Sequence, residues 1–275
     1  MGQIVGFRRP GGDLVWLSVN AQPLFDEHGA APIGVVSSFS DITEHKKRAE
    51  FEQQLIGIVS HDLRNPLSAI LMGAQLILQQ ENLTERVRKG AARIASSAER
   101  ARRLITDLLD FTQARLSGGL RVERRAMDFH VVTRQVLDEI QVAWPERELC
   151  CEQVGDGNGH WDEDRLAQVV TNLVTNALRH GASGAPVRVI TAGEAHEVVL
   201  QVHNQGRPIP SELLPHLFEA MQRGAPGGVE RAAGGVGLGL FIVDQIARAH
   251  AGTVAVVSDQ AGTTFTVRLP RLSGA

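Results

Sequence analysis

ERVRKGAARIASSAERARRLITDLLDFTQARL, Glu85 to Leu116, is the stretch from which the fold is read. Val87, Ala91, Ile94, Ala98, Ala101, Ile105, Leu108 and Thr112 follow one another at alternating intervals of four and three, with Arg and Glu between them. Such spacing puts one apolar seam on a long α-helix. The preceding segment, from about Glu44 to Gln80, is also helical in composition, and Glu81-Asn82-Leu83-Thr84 can turn the chain between the two. Two amphipathic helices cannot enclose a core by themselves, so the expected solution is a homodimer whose paired hairpins form a four-helix bundle.

Upstream of the hairpin, Gln3 to Arg8, Asp13 to Ala21 and Ile33 to Ser40 have strand character and are separated by turn-forming sequence. Downstream, Ser117-Gly118-Gly119 breaks the helix, and strand and helix patterns then alternate. Helices are expected near His130 to Ala143, Asp164 to His180 and Leu238 to His250. Strands are expected near Leu149 to Val154, Val187 to Thr191 and Glu197 to His203, with a hairpin from Thr253 to Leu269. The fold class is therefore α+β: a helical hairpin followed by a two-layer α/β sandwich.

The 275 residues, 43% of them hydrophobic, suffice for two packed units and a fragment. A net charge of −3 with evenly mixed signs argues against a nucleic-acid surface and favours soluble protein partners. Cys150 and Cys151 are adjacent and ill placed for a long-range disulfide, which fits a reducing cytoplasm. Neither a run of about 18 apolar residues nor the order of a signal peptide occurs. This segment is expected to make no membrane contact, while its opening reads as part of a domain of a longer receptor.

Chemistry concentrates in four places. In SHDLRNPLSAI, Ser60 to Ile70, the apolar residues cluster on one side of a helical projection and His61 points away from them. Asn65 lies one turn on, on the same face, with Asp62 beside them, and Pro66 is expected to bend the helix. An imidazole that attacks phosphorus needs a free nitrogen and a partner for the other, a role open to Asp62. The ordinary alternative is a solvated histidine.

In DRLAQVVTNLVTNALRHG, Asp164 to Gly181, the apolar residues form one stripe while Asn172, Asn176 and Arg179 share the opposite face. Asparagine prefers caps, so two in mid-helix at a spacing of four suggest amides that bind something, against the alternative of a solvated face. In AAGGVGLGLFIVDQIARAH, Gly234, Gly235, Gly237 and Gly239 open a helix, where backbone amides and the helix dipole favour phosphate; a flexible surface loop is the alternative. In VHNQGRPIP a polar Asn204 ends a strand before a turn at Gly206.

Taken in this order, the four segments resemble the phosphoacceptor, Asn, first Gly and second Gly boxes of two-component sensor histidine kinases. Phe218 in LPHLFEAM is similar to the Phe box and GTTFTVRLP to the final strand. Residues 1 to 43, ending in Asp41-Ile42-Thr43, look like the last strands of a PAS sensor domain. The resemblance implies a dimerisation and phosphotransfer hairpin over 44–118 and a catalytic ATP-binding domain over 119–275.

His61 would accept the phosphoryl group, Asp62 would act as its acid/base partner, and Asn65 would orient water for removal of phosphate from the partner regulator. Asn176 would hold Mg2+ against ATP, with Asn172, Arg179, His180, Asn204, Gly206, Gly235, Gly237, Leu238 and Gly239 in the nucleotide site, beneath a lid over about 219–234. The phosphate would pass to an aspartate in the receiver domain of a response regulator.

Three positions depart from the family pattern. Asn204 replaces an Asp that accepts from the adenine amino group, Pro208 replaces a glycine, and Val236 replaces a frequent hydroxyl residue. Two other readings stay open. One is a related ATPase, which would use an acid where Asn172 stands; the other is a non-catalytic dimeric signalling scaffold.

Overall fold

A computed structural model describes residues 3–9, 12, 14–25, 32–117, 119–220 and 237–271. Within these, the side chains of residues 32, 49–50, 52–56, 58–61, 64 and 117 lie outside the description. Contacts divide the chain into two units, Met1–His61 and Asp62–Ala275.

The first unit holds an antiparallel meander of β1 (Gln3–Arg8), β2 (Leu14–Phe25) and β3 (Pro32–Asp41), in the order β1-β2-β3. Cross-strand partners share a face. The pairings Val5↔Leu17, Phe7↔Val15, Val19↔Phe39 and Pro23↔Val35 therefore gather an apolar face, while Ile4↔Ser18, Asn20↔Ser38 and Gln22↔Val36 mark the more polar one. Val5, Phe7, Val35 and Phe39 on the apolar face are exposed. Strand β3 passes into α1 (Thr43–Leu78) at Asp41, whose Oδ1 accepts from the Thr43 N–H at 2.9 Å. The Thr43 hydroxyl in turn accepts from the Trp16 N–H at 2.9 Å, tying the helix start to the central strand. Lys46 lies over the Trp16 ring, 5.2 Å from its centroid.

Helix α1 carries Pro66 inside it without ending there. It is followed, after the turn at 79–84, by α2 (Glu85–Ser117). Ala74 on α1 and Ala91 and Ala98 on α2 are buried amid exposed neighbours. The heptad seam divides accordingly. Ala91 and Ala98 are covered within the chain, whereas Val87, Ile94 and Leu108, at the other heptad position, are about half exposed. On α1, Leu63, Ile70 and Ile77 repeat at intervals of seven and are also exposed.

Beyond α2 lies the α/β layer. Its five-stranded sheet has the order β5 (Leu149–Val154), β7 (Val187–Gly193), β8 (Glu197–Asn204), β10 (Gly262–Pro270), β9 (Thr253–Asp259). Only β5 and β7 pair in parallel. Helices α3 (Phe129–Ala143), α4 (Glu163–His180) and α5 (Gly239–Ala249) pack against the sheet. Their apolar stripes meet alternate residues of β7, β8 and β10 in one core that includes Leu166, Leu173, Ile242, Ile246, Leu200 and Phe265. This is the two-layer sandwich expected.

A two-stranded ribbon, β4 (Arg125–Asp128) with β6 (Asn158–Trp161), was not foreseen. Four-residue strands without apolar alternation leave no periodic trace. Trp161 nevertheless closes the core, fully buried, with its Nε1–H donating to the Pro270 carbonyl at 3.0 Å.

Candidate active site

Helix α4 is built for one buried and one open side. Asp162 caps its start, accepting from the Arg165 N–H at 3.2 Å. Leu166, Val169, Val170, Leu173, Val174, Ala177 and Leu178 are buried, as their spacing predicts. Asn172 and Asn176 lie off this stripe and are half buried, and Arg179 is exposed. The Asn172 amide donates to the Gly239 carbonyl at 3.3 Å, so α4 touches the first residue of α5. Asn176 makes no side-chain hydrogen bond among the described residues, which leaves a half-buried amide open to a ligand.

The glycines divide by what holds them. Gly237 has φ of 78°, the left-handed region that glycine adopts without strain. At Gly239 a Cβ would meet only Asn172, at 3.8 Å or more. Protein sterics do not demand a glycine there; a side chain would instead fill the space before Asn172, where a phosphate could approach the helix terminus. Leu238 between them is buried in the core, so only its backbone faces such a ligand. Gly235 and Val236, and all of the lid region beyond Ala220, lie outside the described residues.

Asn204 ends the central strand β8 and is buried, its amide donating to the Gln205 carbonyl at 3.3 Å. Gly206 bridges to Gly181, and a Cβ on it would stand 2.8 Å from the His180 carbonyl. The strand end is thereby drawn against the end of α4, bringing Asn204 and His180 to one region, though His180 itself is exposed. Phe218 packs edge-on against Phe265, with ring centroids 6.4 Å apart.

His61 falls on α1, and its side chain lies outside the described residues. Asp62 and Asn65 are exposed. Helical spacing places Asn65 on the same side of α1 as position 61.

Several polar residues were not singled out from sequence. On α2, Asp110 is buried with one oxygen 2.7 Å from Arg165 and the other accepting from Gln168 at 2.7 Å. Burial and the neighbouring Asp110 push Asp107 up to about 6, against the pull of Arg103 and Arg179. Arg179 is held below its usual value by partial desolvation and by Arg103 and Arg100. His250, fully buried, donates from Nδ1 to the Ile246 carbonyl at 2.9 Å and accepts from the Asp162 N–H at Nε2, 3.0 Å away. No local pattern marks these residues, because their partners lie on other elements.

Sequence comparison agrees with this geometry. Residues 51–116 match the His Kinase A (phospho-acceptor) domain. Residues 161–273 match the histidine kinase-, DNA gyrase B- and HSP90-like ATPase domain. A bacteriophytochrome of Pseudomonas aeruginosa is 35% identical over 218 residues, 79% of this chain and 29% of that protein. The probable sensor histidine kinase TcrY of Mycobacterium tuberculosis is 38% identical over 223 residues, 79% of this chain and 46% of that protein.

Among solved structures, full-length ShkA in complex with AMPPNP superposes with a TM-score of 0.61 at 23% identity, covering 81% of this chain and 47% of that one. ThkA in complex with the response regulator TrrA gives 0.53 at 21% identity, covering 98% and 79%. A phosphoacceptor helical hairpin followed by an ATPase-type α/β layer defines a class, and this chain belongs to it: the sensor histidine kinases. It spans 29% and 46% of the length of the two curated relatives above.

Proposed function

We propose that this chain is the kinase core of a two-component sensor, transferring the γ-phosphoryl group of ATP to His61 and from there to a receiver-domain aspartate. The observation that carries this reading is the open Asn176 amide on α4, one turn beyond an Asn172 held against the Gly239 end of α5, in a chain that also bears the phosphoacceptor sequence.

Asn172 and Asn176 offer amide oxygens and donors on the open side of α4, and Gly237 to Gly239 offer backbone amides at a helix start. Mg2+, when bound, neutralises phosphate charge, and it commonly takes a single protein ligand beside phosphate oxygens, a place that Asn176 suits. Asn204, held by Gln205 through its NH2, has its carbonyl oxygen available to accept from an amino group on the base. A ring nitrogen of His61 forms the new bond to phosphorus as the bond to the ADP oxygen breaks. Asp62 stands beside His61 in sequence to take the ring proton. Asn65, one turn on, is assigned to orienting water when the reaction runs as a phosphatase on the regulator.

The exposed heptads Leu63-Ile70-Ile77 and Val87-Ile94-Leu108 support a homodimer, since a second hairpin would cover both. The exposed apolar face of the N-terminal sheet supports its assignment, over 1–43, as part of a PAS-like domain. The hairpin and catalytic domains are assigned to 44–118 and 119–275. Among the described residues no helix is long and apolar enough to cross a membrane, and a cytoplasmic site follows from the use of ATP.

Incubation with γ-labelled ATP and Mg2+ tests the reading. Acid-labile, alkali-stable label is expected on the parent chain and none on His61→Ala, which should still bind ATP. Label persisting on His61→Ala would assign the phosphate elsewhere. A parent chain that binds no nucleotide would leave only a signalling scaffold, and ATP hydrolysis without protein labelling would indicate the ATPase.

A further inference from the structure

Arg147 stands in the turn between α3 and β5, where its carbonyl accepts from Gln141 Nε2 at 2.8 Å. Its side chain reaches the end of α4, and Nη1 donates to the Leu178 carbonyl at 3.1 Å. Nε and Nη2 are buried and make no hydrogen bond among the described residues. Buried donors are nearly always paired, so two of them on one guanidinium ask for a reason. Asn204 is the polar residue beside them. The point that a Cβ on Gly181 would occupy lies 3.3 Å from Arg147 Nη2 and 3.4 Å from Asn204 Cβ.

The Asn204 amide is loosely held. Its NH2 donates to the Gln205 carbonyl at 3.3 Å, but that carbonyl already accepts from the Ala182 N–H at 2.6 Å, so losing the longer bond would leave it paired. The NH2 is turned toward the Gly181–Gly206 bridge, since the point of a Cβ on Gly206 lies 3.3 Å from Asn204 Nδ2 and 3.6 Å from Gly181 Cα. A donor is thus turned to the side on which the Arg147 cation stands. Reversing the amide would put its oxygen there instead, and side-chain dipoles orient in the field around them.

The two orientations suit different bases. With its oxygen toward a ligand, the amide accepts from the 6-amino group of adenine. With its NH2 toward the ligand, it donates to a 6-oxo group, whereas a carboxylate in the same place could only accept. We propose that Asn204, with Arg147 as its positioning residue, lets the base end of the site take 6-oxopurine nucleoside triphosphates as well as ATP. The proposal rests on the kinase reading and on Asn204 facing the base.

The test is isothermal titration of the full chain in Mg2+ with ATP and with ITP, whose base differs from adenine at the 6 position and the adjoining ring nitrogen. The parent should bind ITP within about fivefold of ATP, less than the roughly tenfold that one mispaired hydrogen bond commonly costs. Asn204→Asp should widen the preference for ATP by about tenfold or more, because a carboxylate facing an oxo group sets acceptor against acceptor. Arg147→Met, which removes the charge, should shift the ratio of the two Kd values in the same direction by about threefold or more. Arg147→Lys keeps the charge and should hold the parent ratio. A loss of packing alone would weaken both nucleotides together and leave the ratio unmoved.

A parent that prefers ATP more strongly than fivefold overturns the proposal, as does an Asn204→Asp variant with the parent ratio. An Arg147→Met variant with the parent ratio overturns the role given to Arg147, and Arg147→Gln decides in its place if that variant fails to fold. A parent that binds ATP alone overturns only this proposal; one that binds neither nucleotide overturns the kinase reading with it.

Discussion

Asn172 and Asn176 show how far single residues could be read. Two amides in mid-helix at a spacing of four stand out because asparagine is a poor choice there unless its side chain is used. The structure places both off the buried stripe, with Asn172 against Gly239 and Asn176 open. Gly206 reads from its own neighbours as a turn and from the family resemblance as part of the nucleotide site, while its close approach to the His180 carbonyl is a contact between distant segments. On the proposed reading, replacing Asn176 by Ala would remove a contact to a charged ligand, of the kind worth about 1.5–3 kcal/mol. ATP affinity in Mg2+ should therefore fall roughly ten- to a hundredfold, with the circular dichroism spectrum unchanged. Isothermal titration with and without Mg2+ checks this, and an unchanged affinity would remove Asn176 from the site.

Among the elements, α2 was the most legible, expected over Glu85 to Leu116 and found over Glu85–Ser117. A heptad repeat announces a helix and a seam, but it does not say which residues face a neighbour in the same chain. Ala91 and Ala98 are buried within the chain, whereas Ile94 is 50% exposed. The two substitutions Ile94→Asp and Ala98→Asp are thus expected to differ. The first should split the proposed dimer while leaving the hairpin helical, because only the second copy would bury the new charge at a cost of several kcal/mol. The second should damage the hairpin itself. Sedimentation and helicity measured on both variants separate the outcomes, and an intact dimer for Ile94→Asp would sink the bundle assignment.

At the scale of the whole molecule, His250 joins the end of α5 to the start of α4 through the Asp162 N–H. Burial, Arg124 and Arg165 hold its imidazole below the usual histidine value, against the Ile246 carbonyl and Asp162. The unfolded chain takes up a proton near 6.5 that the folded chain resists, so the unfolded state binds more protons below that pH. The contribution of His250 to stability is therefore fully present above about 6.5 and is lost as pH falls below it toward the lowered folded value.

Asp107 works in the opposite sense, favouring the folded state as pH falls through about 6. His250→Gln isolates the histidine. It should lower stability by about 1–3 kcal/mol at pH 7.5 for the buried hydrogen bonds it disturbs. The difference from the parent should narrow at pH 5.5, as followed by urea denaturation. A difference independent of pH would mean that His250 does not titrate on unfolding.

Sequence alone determined the class of this protein, the order of its hairpin and α/β layer, and the polar face of α4, because each rests on periodicity or on short motifs written in neighbouring residues. Only the tertiary structure decided which half of the α2 seam is covered within the chain. It alone revealed the β4–β6 ribbon, the Asp110–Arg165–Gln168 cluster and the His250 bridge. Each of these joins residues from different elements. Their pairing energy depends on distances that the fold sets, and a charged residue on a helix looks the same in sequence whether water or another helix faces it.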